Sequence, residues 1–104
     1  VQAEENAMSD IVIDREETET KGRFLIRQDG ETAELTFSKV QNHTWILDHT
    51  GVPDALGGRG LGKVLVRHAV EAARAENKVI IPLCPFAKAL IAKTPDWQDV
   101  LKKR

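Results

Sequence analysis

Glycines crowd positions Gly57, Gly58, Gly60 and Gly62, and the hydrophobic period of the chain changes across them. Upstream, apolar residues alternate with polar ones, the period-2 pattern of half-buried strands; downstream they recur at helical spacing. A chain with this break leaves a sheet, passes through a loop nearly bare of side chains, and enters a helix. Upstream, Ile11, Val12 and Ile13 predict a short strand ending at Asp14, followed by a polar connection from Glu16 to Lys21. Gly22 opens a second strand with Phe24 and Ile26 on one face and Arg23, Leu25 and Arg27 on the other. Asp29-Gly30 signals a type I′ hairpin. The return strand alternates Ala33, Leu35 and Phe37 with Glu34, Thr36 and Ser38. After a turn near Gln41-Asn42, a fourth strand from His43 to about Val52 places Trp45, Leu47 and His49 on one face, with Thr44, Ile46 and Asp48 on the other. Four strands in series make an antiparallel meander.

Downstream, Leu61, Val64, Leu65, His68, Ala69 and Ala72 predict the inner stripe of a helix ending near Asn77, with Lys63, Arg67, Glu71 and Arg74 outward. Val79-Ile80-Ile81 reads as a buried strand running parallel to its predecessor across the helical crossover. Cys84 then caps a second helix with Pro85 at its first position, where the missing N–H costs nothing. Phe86, Ala89 and Leu90 are its predicted inner face, and a last helical turn from about Asp96 to Leu101 docks Trp97 and Val100. The expected class is mixed α/β: a five-stranded, mainly antiparallel sheet with two main helices and one parallel crossover.

Only 104 residues are available for this. A chain of that size buries roughly 65% of its unfolded surface, so residues 10–104 are expected to form one domain, with any active site on the core scaffold. Residues 1–9 show no apolar periodicity and are expected to be a flexible segment or an added remnant. Fifteen basic and sixteen acidic residues give a charge of −1, so no global field favours nucleic acid or an anionic membrane. No apolar run approaches the ~20 residues of a membrane span, and Glu4 and Glu5 do not suit a signal peptide. The single cysteine excludes an intramolecular disulfide and a multi-cysteine zinc site. A monomer in the cytoplasm is the expectation.

The loop Gly57-Gly58-Arg59-Gly60-Leu61-Gly62-Lys63 lies between a strand and a helix N-terminus, where consecutive backbone N–H groups and the helix dipole favour an anion. Three phosphate-binding patterns compete. A P-loop requires Ser or Thr after the lysine, and Val64 stands there instead. A dinucleotide fold requires G-x-G-x-x-G and a later acid, whereas the spacing here is G-x-G-x-G and Val79 to Leu83 carries no acid. The third pattern is a loop around a single pyrophosphate, after an antiparallel meander and before a helix and a parallel strand.

Three segments together carry a resemblance: His49-Thr50-Gly51-Val52, Arg59-Gly60-Leu61-Gly62-Lys63 and Cys84-Pro85-Phe86-Ala87-Lys88. On these the chain resembles the GNAT superfamily of N-acetyltransferases over residues 11–102, specifically its short stand-alone members. The family loop reads Arg/Gln-x-x-Gly-x-Gly/Ala; Gly60 and Gly62 match its glycines, and Gly57 stands where a basic or amide residue belongs. The resemblance implies acetyl-CoA in the splay between the fourth and fifth strands, its pantetheine arm along Thr50, Gly51 and Val52. It also implies contacts from Gly58, Arg59, Gly60, Leu61, Gly62 and Lys63, with Phe86 and Lys88 on the second helix, and acetyl transfer to an unidentified amine. No metal is implied.

In many larger members a tyrosine is credited with protonating the departing thiolate, and this chain has none. Cys84 is the substitute to consider, as nucleophile or as thiol acid, because a helix N-cap favours thiolate; its bland alternative is a buried space-filler. His49 is either a base for the incoming ammonium or a structural residue bonded to the glycine loop. His68 reads as a core-boundary residue, His43 as exposed, Glu34 as a weak candidate base, and Trp45 and Trp97 as core anchors. Lys93, like Lys88, could meet a CoA phosphate. Two other functions remain open: an acyl-CoA sensor without turnover and, more remotely, a nucleotide-phosphate binder.

Overall fold

The computed structural model describes residues 11–41 and 43–102. The segment 1–9, expected to be flexible, lies outside the described residues, as does Asn42 of the second turn. Five strands form one sheet in sequence order: β1 (Asp14–Glu17), β2 (Lys21–Gln28), β3 (Glu31–Val40), β4 (Thr44–Gly51) and β5 (Val79–Pro82). The first four pair antiparallel and β5 runs parallel to β4. Helix α1 (Leu61–Ala75) makes the crossover, α2 (Pro85–Ala92) follows β5, and 3₁₀ turns occupy Asp54–Leu56 and Pro95–Val100. The β2–β3 turn has φ of 51° at Asp29 and 76° at Gly30, the double positive φ of a type I′ turn, which matches the twist of the strands it joins.

Alternation on β2 and β3 sends Phe24, Ile26, Ala33, Leu35 and Phe37 into a core shared with α1 and α2. Trp45 of β4 closes it, its ring 4.5 Å from that of Phe37. The opposite face of the sheet carries ions instead. Arg23 bonds Glu16 and Glu34, and Arg27 bonds Asp14. Leu25 lies among them in register with Asp14 and Glu34, and is fully buried.

Four expectations need correction. The first strand is not Ile11–Ile13 but the charged run Asp14–Glu17, which pairs with Leu25 to Gly22. An edge strand with an ionic face needs no apolar residues, and Ile11 and Ile13 pack against the core beside it. On α1 the buried stripe runs through Leu61, Leu65, Val66, Ala69, Val70 and Ala73; Val64, His68 and Ala72 are only its half-buried flank. On α2 the inner residues are Ala87 and Ile91, while Phe86 is 47% exposed, because buried Cys84 at the cap sets the inward face at i, i+3 and i+7.

The fourth correction bears on the site. The β3–β4 register pairs Phe37 with Leu47 but Thr36 with His49, so Asp48 is an extra residue, a β-bulge. Past the bulge the alternation of β4 inverts. His49 leaves the face of Trp45 and Leu47 for the exposed ionic face, and Thr50 takes the inner side opposite Leu35.

Candidate functional site

The pairing of β4 with β5 ends at Leu47 and Pro82, whereas β4 stays paired with β3 as far as Gly51. The amides of Leu83 and Cys84 both bond the carbonyl of Leu47, at 3.1 and 3.0 Å. The chain then turns into α2, where Pro85 at the first position helps start the helix. Among the described residues, the outer edge of β4 from Asp48 to Gly51 therefore has no strand beside it. The thiol of Cys84 reaches back across this gap to donate to Thr50 Oγ1 at 3.5 Å.

A cleft of about 560 Å³ opens along the end of β4 toward the glycine loop. Of the residues expected there, the structure gathers Thr50 and Val52 with Gly58, Gly60, Leu61, Gly62 and Lys63, and adds Phe86 from α2. Gly60 caps α1 in the left-handed region, φ 74°, with no side chain on the first-turn amides. The first bond inside the helix is Val64 N–H to Gly60 C=O, at 3.1 Å, so the amides of Leu61, Gly62 and Lys63 are left for an outside acceptor. Gly60 and Gly58 supply conformation, because a Cβ at either would meet nothing; Gly62 supplies space, since its Cβ would lie 3.1 Å from the Phe86 ring.

Other expected contacts fall elsewhere. Arg59 turns away to bond Gln28 Oε1 at 2.9 Å and Asp29 Oδ2 at 2.8 Å on the β2–β3 turn. Lys88 lines a separate depression with Ile81 and Lys102. Gly51 presents its α-carbon to the His49 ring. His49 itself, on the ionic face, lines no part of the cleft. Glu34 is held by Arg23. Pro53, Asp54, Leu56 and Gly57 also line the cleft. Pro53-Asp54 is a recognisable turn signature that could have marked this wall.

Cys84 is 4% exposed at the N-cap of α2. Burial pushes its thiol pKa up, but the Thr50 hydroxyl and the amides of Ala87, Phe86 and Thr50 outweigh that and leave it below the ordinary thiol value. His68 packs edge-on to Phe24, centroids 4.9 Å apart, and burial holds its pKa below the usual histidine value. Trp45 is buried and Trp97 half-buried against the core, as anchors would be.

The family model described as GCN5-related N-acetyl-transferase matches residues 23–100. This chain belongs to the GCN5-related N-acetyltransferase family. Among solved structures, it is similar to the NMR solution structure of a "GCN5-like putative N-acetyltransferase" from Staphylococcus aureus, at 41% identity and a TM-score of 0.68, over 92% of each chain. No curated protein matches it. Both the glycine loop and the Cys84 turn of this family member fall inside the matched segment.

Proposed function

We propose that the chain binds acetyl-CoA between the glycine loop and the free edge of β4, and transfers its acetyl group to a primary amine. One observation carries the reading: a single cleft joins uncapped α1 amides at one end to Thr50 at the other, with Cys84 in contact with Thr50. The amides, with Lys63, suit a pyrophosphate, and the unpaired edge of β4 suits the amide groups of a pantetheine arm.

Transfer requires a neutral amine, whose lone pair attacks the thioester carbonyl while the C–S bond breaks. The departing thiolate must gain a proton and the amine nitrogen must lose one. Without a tyrosine in the chain, Cys84 is the group we assign to this. It gives its proton to the CoA sulfur and recovers one from the amine nitrogen; or, its proton passed to the CoA sulfur, its thiolate takes the acetyl group as the bond to CoA breaks, and the amine then attacks the acetyl-cysteine and expels the thiolate, which recovers a proton from the amine nitrogen. A second reading, acyl-CoA binding without turnover, is favoured by that same absence.

Calorimetry with acetyl-CoA, CoA and ATP tests the site. Acetyl-CoA and CoA should bind, and Gly60→Glu and Gly62→Glu should each abolish binding by placing bulk and negative charge in the loop. Tight ATP binding without CoA binding sinks the reading. Intact-mass analysis after incubation with labelled acetyl-CoA and a panel of polyamines, peptides and amino acids decides turnover: tight binding with no acetylated amine establishes the sensor.

A further inference from the structure

From Gly57 to Gly60 the loop has one side chain, that of Arg59. Its neighbours Gly58 and Gly60 both adopt positive φ, 80° and 74°, a conformation glycine also leaves easily. Leu56 and Leu61 anchor the two ends in the core, so Arg59 is the side chain available to fix the middle. It does so by donating from Nη1 to Gln28 and from Nη2 to Asp29. The basic side chain lining the cleft is that of Lys63 instead, with the Asp54 carboxylate also on its wall.

We infer that Arg59 is a positioning residue, and that the β2–β3 turn is a brace: through Gln28 and Asp29 it holds Arg59, and so sets the loop amides in the arrangement an anion requires. Binding is tighter when the donors are ordered beforehand, since ordering them no longer opposes association. The type I′ turn contributes its own rigidity, because Asp29 is presented by a backbone that both positive-φ residues define. This inference rests on the acetyl-CoA reading for its consequence, and on the loop geometry for its cause.

A competing role gives the opposite sign. If Asp29 merely withheld Arg59 from the pyrophosphate, Asp29→Asn would free the guanidinium and tighten acetyl-CoA. Asparagine also tolerates the left-handed conformation, so the turn is kept. With Arg59 as a brace, Arg59→Ala and Asp29→Asn each weaken acetyl-CoA by about 2- to 5-fold, the range expected of an exposed ion pair. The double variant is no weaker than Arg59→Ala alone. In the ligand-free proteins, the backbone NMR order parameters of Gly58, Arg59 and Gly60 fall in all three variants. Tightening by Asp29→Asn, independent losses that multiply in the double variant, or unchanged order parameters each overturns the brace. Absence of acetyl-CoA binding by the wild-type chain sinks the functional reading instead, and the order parameters still decide the brace.

Discussion

Thr50 and Cys84 stand 34 positions apart in the sequence and touch because one residue, Asp48, bulges out of the β3–β4 ladder. The contact has a titration signature. Thr50→Val removes the hydroxyl that favours the thiolate while keeping the shape, so the midpoint of thiolate absorbance should lie below the ordinary thiol value in the wild type and move upward in the variant. An unmoved midpoint would show that the backbone amides of Ala87, Phe86 and Thr50, without the hydroxyl, set the thiol. His68 gives a stability signature. Burial lowers its folded pKa below 6.5, with Glu71 opposing and Arg15 assisting. Between the two values the unfolded chain binds more protons, so this contribution is complete above the unfolded pKa and is lost as pH falls toward the folded one. Urea unfolding above and below that window should show the loss, and His68→Gln should reduce it.

Strand pairing explains a second glycine. Gly22 is opposite Phe37 in the β2–β3 register, and a Cβ there would lie 2.4 Å from the end of the Phe37 ring. That ring is fully buried and stacks on Phe24 at 5.2 Å and against Trp45, so it has little freedom to move aside. Gly22→Ala should therefore cost about 1–3 kcal/mol in urea unfolding, the usual penalty of overpacking. The type I′ turn, the parallel β5 and the proline start of α2 were legible because each is a local backbone requirement met by particular residues: Asp29-Gly30, Val79–Ile81 and Pro85. The first strand was not. Asp14–Glu17 has no apolar period, and only the presence of Arg23 and Arg27 across the ladder makes its charges suit an edge.

Across the molecule, the core lies under the sheet while the cleft opens at one end of it, which separates folding from binding. Acetyl-CoA at about 100 times its Kd should stabilise the fold by about 2.7 kcal/mol through mass action alone, raising the melting temperature. Gly62→Glu should remove that rise while still unfolding cooperatively; a variant that fails to fold would show that Gly62 serves the core instead. The sequence by itself determined the meander, the crossover helix and the glycine loop, because period and turn chemistry act between near neighbours. It also carried the family resemblance, through the residues around Thr50, Gly60 and Cys84. Tertiary structure alone decided which side chains meet. The bulge turned His49 outward and Thr50 inward, an ion pair drew Arg59 out of the cleft, and the Cys84 cap turned Phe86 into it. Each of these depends on partners distant in the chain, and a one-residue shift in a strand or a small rotation of a helix exchanges the faces that a periodic pattern alone leaves equivalent.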